Sequence, residues 1–288
     1  MIESICSITV TYNPPLHDNR LAKQITYLSH YTKNIFIVDN ASDNVKDLRK
    51  VIKSVSSIAE IIELKDNKGI ASGFNVGIEK CLSNTLCEYI LTLDQDTVFL
   101  EDSFKQLELE MERLKSIPLL GVFGFNYGTV RFSKPVIRNR KMVPELVPFV
   151  ISSGSIIRRE VCSKVKFDDH LFMYFVDADF CHKVGKTGYR IAILGRSMMD
   201  HEEGERKKIG ENNYFFIKPY KFYYIARNSF IMLKRHNDFF GILYLLLAVG
   251  MNIMAKISIK ETLHYTFRGI MDGVSGRLET MSFCAEGI

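Results

Sequence analysis

The chain has 288 residues, of which 47% are hydrophobic and 25% are charged, a composition typical of globular proteins that excludes a disordered or collagen-like chain. The chain has 38 Lys and Arg against 33 Asp and Glu, a formal charge of +5. Without a clustered basic patch this excess is too small to indicate a nucleic-acid-binding protein, and we expect no nucleic-acid partner. Six cysteines without a Cys-x-x-Cys pair predict buried free thiols in a reducing compartment, and neither a disulfide framework nor a zinc site. The first residues do not resemble a signal peptide, so we expect a cytoplasmic protein.

Short apolar runs alternate with amphipathic stretches through the first hundred residues. The runs predict strands over 5–10, 35–38, 58–64 and 89–93, and the amphipathic stretches predict helices over 21–28, 45–54 and 70–81. Strands that alternate with helices through short connections favour a parallel sheet with helices on both faces. Polar residues follow each of these strands, at the edge where open α/β sheets bind ligands.

The pattern is less regular after residue 100. It predicts helices over 104–115, 159–164 and 178–187, and strands over 119–125, 147–157 and 189–194. From residue 215 onward the chain becomes aromatic and apolar. We therefore expect one α/β domain that is followed by a helical C-terminal part.

Two carboxylates follow the predicted strand 89–93, in the run Asp94-Gln95-Asp96. Residues two apart in an extended segment point to the same side, so the two carboxylates can converge. Converging carboxylate oxygens suit Mg²⁺ or Mn²⁺ that bridges a substrate diphosphate. A solvated turn is the alternative, because Asp-x-Asp runs are common by chance.

Polar residues also follow the predicted strand 35–38, in the run Asp39-Asn40-Ala41-Ser42. An Asp and an Asn at this edge can pair with the donor and acceptor groups of a pyrimidine. Tyr12, at the end of the first strand, can stack on that base, a contact that contributes about 1–3 kcal/mol. A loop that caps the helix near residue 45 is the alternative.

Three glycines spaced four residues apart, Gly69, Gly73 and Gly77, share one face of the predicted helix 70–81. Small residues on one face let a helix approach a sheet closely, or let a ligand approach the N-terminus of the helix. We favour close packing, because the run matches neither a Walker loop nor a dinucleotide-binding fingerprint.

Asp177 and Asp179 lie beside aromatic residues at the start of the predicted helix 178–187. A carboxylate at this place can accept a proton from an acceptor hydroxyl, and helix capping by Asp177 is the alternative. His201 follows a predicted strand and is a candidate metal ligand, although a single histidine is more often structural.

Together these motifs resemble family 2 glycosyltransferases, and in particular their bacterial rhamnosyltransferase branch. The resemblance covers residues 5–230 approximately. It is carried in chain order by Val10-Thr11-Tyr12-Asn13-Pro14, Val38-Asp39-Asn40-Ala41-Ser42, Asn67-Lys68-Gly69, Asn75-Val76-Gly77, Leu93-Asp94-Gln95-Asp96, Ser152-Ser153-Gly154, Phe175-Val176-Asp177-Ala178-Asp179-Phe180-Cys181, Gly188-Tyr189 and His201.

The resemblance implies a GT-A fold, an α/β architecture with a Rossmann-like mixed sheet flanked by helices, here with a C-terminal helical extension. Residues 1–100 would form the nucleotide-sugar-binding half, 101–215 the acceptor-binding and catalytic half, and 216–288 a helical segment. It implies an inverting transferase that moves a sugar from a nucleoside-diphosphate sugar, with dTDP-rhamnose as the expected donor. The expected acceptor is a glycan or a lipid-linked oligosaccharide in the synthesis of bacterial surface polysaccharide, such as O-antigen or capsule.

The resemblance also implies roles for single residues. Nine residues would hold the donor nucleotide: Thr11, Tyr12, Asn13, Asp39, Asn40, Asn67, Gly69, Asp94 and Gln95. Asp94 and Asp96 lie at the family's metal and diphosphate positions, and we expect His201 to complete a Mg²⁺ or Mn²⁺ site. Asp177 falls at the position of the catalytic base. Val176 stands where many members have Glu, so whether Asp177 or Asp179 accepts the proton stays open.

Two other functions are compatible with the same α/β half. A sugar nucleotidyltransferase would make a nucleotide sugar, but such enzymes usually carry a loop rich in glycine and basic residues near the N-terminus. The corresponding run here, Thr11-Tyr12-Asn13-Pro14-Pro15, has no Lys or Arg. A non-catalytic carbohydrate-binding protein would not need both the Asp-x-Asp run and the distal Asp pair.

Residues 239–255 are almost wholly apolar, with Asn252 as their one strongly polar residue. As a helix they would span about 25 Å, which is short of the roughly 30 Å of a hydrocarbon core. Basic residues flank them on both sides: Lys234, Arg235, Lys256 and Lys260. The pattern favours a helix in the membrane interface, and hence a peripheral protein on the inner face of the cytoplasmic membrane. A helix that packs on the catalytic domain, or between two copies of the chain, is the alternative.

Overall fold

The computed structural model of the chain describes residues 4–83, 87–131, 134–200, 205–209 and 212–278. Contacts between residues divide the chain into two compact units. The first unit comprises residues 1–167 and 177–203, and the second comprises residues 168–176 and 204–288. The segment 168–176 thus belongs to the second unit although it lies within the sequence of the first.

The first unit begins with alternating strands and helices. The strands are β1 (Ile5–Thr11), β2 (Asn34–Asp39), β3 (Ala59–Glu63) and β4 (Tyr89–Asp94). The helices are α1 (Arg20–Leu28), α2 (Val45–Val55) and α3 (Gly69–Ser83). Every one of these bounds lies within two residues of the predicted one, so the predicted alternation is confirmed.

The remaining elements of the first unit are shorter and less regular. The strands are β5 (Val98–Phe99), β6 (Leu120–Arg131), β7 (Lys134–Ile137), β8 (Glu145–Leu146), β9 (Ser155–Arg158) and β10 (Arg190–Asp200). The helices are α4 (Ser103–Lys115), α5 (Arg159–Cys162) and α6 (Val176–Lys186). Strands β6 and β10 both continue beyond their predicted ends at residues 125 and 194.

The described strands of the first unit form one mixed sheet in the order β3-β2-β1-β4-β9-β6-β10-β5, with β7 beside β6 and β8 beside β10. Strands β3, β2, β1 and β4 are parallel, whereas β9 is antiparallel to both of its neighbours. All seven residues of β1 are buried, since it is central in the parallel part. This confirms the α/β class and a sheet that is mixed.

The prediction of a strand over 147–157 is wrong for most of these residues. Only the last part of this range forms a strand, β9. Pro148 lacks an amide hydrogen for a sheet, and Gly154 adopts a positive φ of 77°. The intervening backbone bonds instead to β4, where Gly154 N donates to Thr92 O (2.8 Å) and Thr92 Oγ1 donates to Ser152 O (2.6 Å).

Helix α3 lies very close to β1 along its glycine face, which confirms the close-packing interpretation. A Cβ atom on Gly73 would lie 2.7 Å from Val10 Cγ1, and one on Gly77 would lie 2.4 Å from Ile8 Cγ2. Both distances are shorter than any van der Waals contact, so this face of the helix requires glycine.

We expect Gly77→Ala to lower the free energy of unfolding by about 1–3 kcal/mol, because the added methyl group must displace β1 or α3. Urea denaturation followed by circular dichroism measures this change. Gly185→Ala in α6 is the matched control, since a Cβ atom there meets nothing within 4 Å. Equal stability of the two variants would contradict the close packing.

The cysteines differ in part from the prediction. Cys81, Cys162 and Cys181 are buried free thiols, as expected, and burial raises the pKa of Cys81 and of Cys181 to about 12. The prediction is wrong for Cys6 and Cys87, which form a disulfide. Parallel pairing of β1 with β4 brings these residues together, with a Cα–Cα distance of 5.7 Å that suits a disulfide.

The second unit contains a hairpin and three helices. Strands β11 (Glu205–Ile209) and β12 (Asn212–Phe216) are antiparallel, and helices α7 (Lys221–His236), α8 (Phe240–Met254) and α9 (Ile259–Ser275) follow. Asn252 of α8 is buried and bonds twice to the backbone of Ile217, through Ile217 N to Oδ1 (2.9 Å) and Nδ2 to Ile217 O (2.8 Å). Among the described helices, none has the length and apolar character needed to cross a membrane.

Helix α9 presents its small residues inward and its large apolar residues outward. Gly269 and Gly273 lie against α7, where added Cβ atoms would be 2.2 Å from Tyr223 O and 2.6 Å from Arg227 O. Five large apolar residues of the same helix are exposed: Ile259, Leu263, Phe267, Met271 and Val274. Their spacing of three or four residues places them on one face.

The segment 168–176 has a strained backbone that α7 holds in place. Phe172, Tyr174 and Phe175 have positive φ angles of 57°, 61° and 60°, which are outliers for bulky side chains. The buried Asn228 of α7 donates its Nδ2 hydrogens to the carbonyl oxygens of Leu171, Met173 and Tyr174, at 2.8–3.0 Å. The ring of Phe172 stacks on Tyr224 of α7 with centroids 5.1 Å apart.

Candidate functional site

The candidate site begins where the strand order of the sheet reverses. Strands β2 and β3 lie on one side of β1 and β4 lies on the other, so the strand order reverses at β1. Open α/β sheets bind ligands at such a point. The loops after β1 and β4 meet there, because Tyr12 N donates a hydrogen bond to Gln95 Oε1 (2.8 Å). Tyr12 and Gln95 are both half-buried.

A second set of hydrogen bonds joins the loop after β1 to the loop after β2. Asn13 N donates to Ser42 Oγ (2.8 Å), and Asp43 N donates to Asn13 Oδ1 (2.8 Å). Asn13 has a positive φ of 44°, which asparagine tolerates better than most residues. The two loops therefore form one connected rim at the carboxyl edge of the sheet.

Asp39 lies beneath this rim and is 0% exposed. Its Oδ1 accepts hydrogen bonds from Thr11 Oγ1 (2.9 Å) and Ser42 Oγ (2.5 Å), and its Oδ2 accepts one from Ser42 N (2.9 Å). In this structure Asp39 and Thr11 shape the loops, while contact of Asp39 with a nucleotide base stays a prediction. The helix near residue 45 begins without a side-chain cap from this run.

The predicted binding residues around α3 also lie at this edge. Asn40 is buried and bonds to the start of the helix, with Nδ2 to Gly69 O at 3.3 Å and Lys68 N to Oδ1 at 3.4 Å. Gly69 has a φ of 83°, and its N–H donates to Asn67 Oδ1 (3.0 Å). Asn40, Asn67 and Gly69 thus close the loop that leads into α3.

The turn Asp94–Thr97 is held by side chains from both sides of β4. On one side, Ser153 Oγ accepts a hydrogen bond from Asp94 N (3.0 Å) and lies 2.6 Å from Thr97 Oγ1. On the other side, Gln24 of α1 donates to Asp94 O (2.9 Å) and to Thr97 O (2.7 Å). Asp94 and Asp96 are themselves half-buried, and the Oδ1 atom of each carboxylate is buried, so the turn is fixed and its carboxylates are only partly exposed.

The chemistry of this turn fits a hard divalent cation, because two carboxylates two residues apart offer the oxygen ligands that Mg²⁺ and Mn²⁺ prefer. Among the described residues, no group of three or more metal-ligating side chains is assembled. His201, the third predicted ligand, lies outside the described residues. Asp200 pairs with Val98 in the sheet, and Arg20 contacts both Asp200 Oδ2 (3.1 Å) and Asp96 O (2.7 Å).

The two candidate bases differ in their surroundings. Asp177 is half-buried in the first turn of α6, where its Oδ1 accepts a hydrogen bond from Ala178 N (2.9 Å). Asp179 is 1% exposed and forms an ion pair with Lys183 one helical turn later (2.9 Å). Of the two carboxylates, Asp177 is the more accessible.

The structure thus joins the loops after β1, β2 and β4, and places Asp177 on a separate element. Gln24 and Arg20 were not recognised from the sequence as part of the site. The signal for Gln24 was present, because it is a polar residue on the face of α1 that buries Leu21, Ile25 and Leu28. Nothing in the sequence pattern singles out Arg20.

Comparison with known proteins identifies the family of the chain. Residues 8–166 match the family model described as glycosyl transferase family 2. The chain is 29% identical over 254 residues to the dTDP-rhamnosyl transferase RfbF of Shigella flexneri, an alignment that covers 82% of each chain.

Solved structures show the same fold at low sequence identity. The crystal structure of S. aureus TarS residues 1–349 in complex with UDP-GlcNAc has a TM-score of 0.51 at 17% identity, over 96% of this chain and 82% of that one. GalNAc-T7 with UDP, GalNAc and Mn²⁺ has a TM-score of 0.55 at 12% identity, over 95% of this chain and 57% of that one. These similarities confirm the GT-A-like fold. The family match covers more than half of the chain, which therefore belongs to glycosyl transferase family 2 and is a glycosyltransferase.

Proposed function

We propose that the chain transfers L-rhamnose from dTDP-rhamnose to a glycan or lipid-linked acceptor during the synthesis of bacterial surface polysaccharide. The observation that carries the proposal is the joined edge at the β1–β4 switch point, where Tyr12 N bonds to Gln95 Oε1 beside Asp94 and Asp96. The similarity to a dTDP-rhamnosyl transferase supports the choice of donor. In this proposal Tyr12 and Asn13 bind the nucleotide, and the loops that contain Asp39 and Asn67 border it.

The proposed reaction is an inverting displacement. The carboxylate of Asp177 accepts the proton of an acceptor hydroxyl as its oxygen attacks the anomeric carbon in line, and the nucleoside diphosphate leaves with the electron pair of the broken bond. We assign this role to Asp177 because it is more exposed than Asp179, which is held by Lys183.

In the same proposal Asp94 and Asp96 hold Mg²⁺ or Mn²⁺, with His201 as a further ligand. A bound divalent cation would stabilise the negative charge that develops on the leaving diphosphate. The protein's own contribution is the fixed turn, since Gln24 and Ser153 bond to its backbone while the carboxylates of Asp94 and Asp96 stay partly exposed.

Product analysis tests this function directly. The purified protein is incubated with a panel of nucleotide sugars and a glycan acceptor, and we expect release of dTDP and formation of a rhamnoside from dTDP-rhamnose. Release of pyrophosphate from a nucleoside triphosphate and a sugar phosphate would instead identify a nucleotidyltransferase. Saturable sugar binding without any product would identify a binding protein.

We further propose that α8 and α9 dock on an anionic membrane surface, which would bring the enzyme to a lipid-linked acceptor. Leu246 of α8 is 66% exposed and Phe267 of α9 is 65% exposed, and each belongs to a row of exposed apolar residues. Exposed Lys256, Lys260 and Arg268 accompany these rows, and such charges are attracted to anionic lipids. The buried Asn252 anchors the opposite face of α8 within its own unit, as a helix in the interface requires.

Vesicle flotation tests the membrane proposal. We expect the wild-type protein to float with vesicles that contain phosphatidylglycerol, and the double variant Leu246→Glu/Phe267→Glu to bind them at least about tenfold less, because two apolar contacts are lost. Leu109→Glu, at a 71% exposed site on α4, should float like the wild type. A wild-type protein that ignores vesicles and forms a dimer that the double variant abolishes would assign this face to self-association instead.

A further inference from the structure

Helix α1 contacts the Asp94–Thr97 turn through two residues that lie one helical turn apart. Gln24 is 0% exposed, and its Nε2 donates to Asp94 O (2.9 Å) and to Thr97 O (2.7 Å). Arg20 Nε donates to Asp96 O (2.7 Å). Three of the four carbonyl oxygens in the turn are therefore bound by side chains of α1.

The Gln24 side-chain amide fits this position because both its nitrogen and its oxygen form hydrogen bonds with the surrounding residues. While Nε2 binds the two carbonyl oxygens, Oε1 accepts a hydrogen bond from Thr9 Oγ1 of β1 (2.8 Å). The amide thus connects the centre of the sheet to the turn. A carboxylate lacks the two donors, and an apolar side chain of similar length lacks all three hydrogen bonds.

The turn has little backbone support of its own. Its internal hydrogen bond, from Thr97 N to Asp94 O, is long at 3.4 Å. Outer groups that orient metal ligands commonly change metal affinity when they are removed, although they do not touch the ion.

We infer that Gln24 and Arg20 are positioning residues that set the separation of the Asp94 and Asp96 carboxylates and thereby the affinity of the site for a divalent cation. The inference rests on the proposed function, because it takes these carboxylates as the metal ligands. It assigns α1, which contains neither carboxylate, a role in metal binding.

Direct Mn²⁺ binding tests the inference without turnover. Mn²⁺ is titrated into the protein in the presence of dTDP, and the free ion is followed by its electron paramagnetic resonance signal. We expect Gln24→Met to weaken Mn²⁺ binding about tenfold, the lower end of the effect of such outer groups. Gln106→Met on α4 is the matched control and should bind Mn²⁺ like the wild type. Arg20→Lys, which keeps the charge and one donor, should show a smaller loss than Arg20→Met.

The outcomes separate positioning from stability and from the proposed function. Thermal denaturation establishes that each variant is folded at the temperature of the titration. If folded Gln24→Met binds Mn²⁺ like the wild type while Asp96→Asn does not, the inference is overturned and the metal role of the carboxylates stands. If the wild-type protein binds no Mn²⁺ with dTDP, or if Asp96→Asn binds it normally, both the metal role and the inference fail. If Gln24→Met does not fold, the same titration on Arg20→Met decides, and unchanged binding overturns the inference.

Discussion

Asp177→Asn is expected to lower kcat at least about a hundredfold, because general-base catalysis typically contributes about 10²–10⁴-fold. The amide has nearly the same shape as the carboxylate but cannot accept the proton of the acceptor hydroxyl. Donor binding should survive, because the proposed nucleotide-binding loops follow β1, β2, β3 and β4, whereas Asp177 lies in α6. Steady-state rates with dTDP-rhamnose, together with dTDP binding by calorimetry, measure the two effects separately.

Asp179→Asn is the matched comparison for Asp177→Asn. This change removes the ion pair with Lys183 inside α6, and we expect it to affect stability more than kcat. If Asp179→Asn loses the activity and Asp177→Asn keeps it, the roles of the two residues are exchanged. A product that retains the anomeric configuration of the donor would contradict the inverting mechanism itself.

Removal of the divalent cation is expected to produce a second large effect. Charge stabilisation by a bound cation contributes several kcal/mol, and each 1.36 kcal/mol corresponds to a tenfold change in rate, so EDTA should lower the activity at least about a hundredfold. Added Mn²⁺ or Mg²⁺ should restore it. Asp96→Asn should lose at least about tenfold at limiting Mn²⁺ and recover in part at high Mn²⁺, since the other proposed ligands, Asp94 and His201, remain.

The exposed Asp102→Asn is a suitable control for Asp96→Asn, because Asp102 precedes α4 and takes no part in the proposed nucleotide or metal site. Activity of the wild-type protein that is unchanged in EDTA would refute the metal role. The role of Asp177 as the catalytic base could then still be tested, so the outcome of one prediction does not decide the other.

The parallel half of the sheet was predictable because its strands are buried on both sides. Strands such as β1, with seven buried residues, are continuous apolar runs, and amphipathic helices separate them. The antiparallel half was harder to predict, since its chain geometry depends on contacts that are distant in sequence. The middle of β10, for example, is irregular between Ile193 and Met198, where the buried Glu110 of α4 accepts hydrogen bonds from the backbone of Gly195 and Ser197.

The candidate site shows the same division. Its strand-end motifs could be read from the sequence, because Asp39 and Asp94 directly follow predicted apolar strands and end β2 and β4. The groups that hold them could not, since Gln24 lies 70 residues before Asp94 and Ser153 lies 59 residues after it. The resemblance to a family supplied roles for single residues that hydrophobic patterns alone do not provide.

The strained segment 168–176 has a consequence for the synthesis and shortening of the chain. Its three aromatic residues with positive φ each cost about 1–3 kcal/mol, and their neighbouring carbonyl oxygens bond to Asn228. A ribosome that has made only residues 1–216 has not yet supplied that asparagine, so the segment just before Asp177 cannot adopt its final form until α7 has emerged. Chains that end before Asn228 would therefore lack the hydrogen bonds that hold the segment ahead of the proposed base. Helix α9 packs on α7 through Gly269 and Gly273 and is made after it. Formation of α7 is thus a late folding step on which the final geometry of residues 168–176 depends.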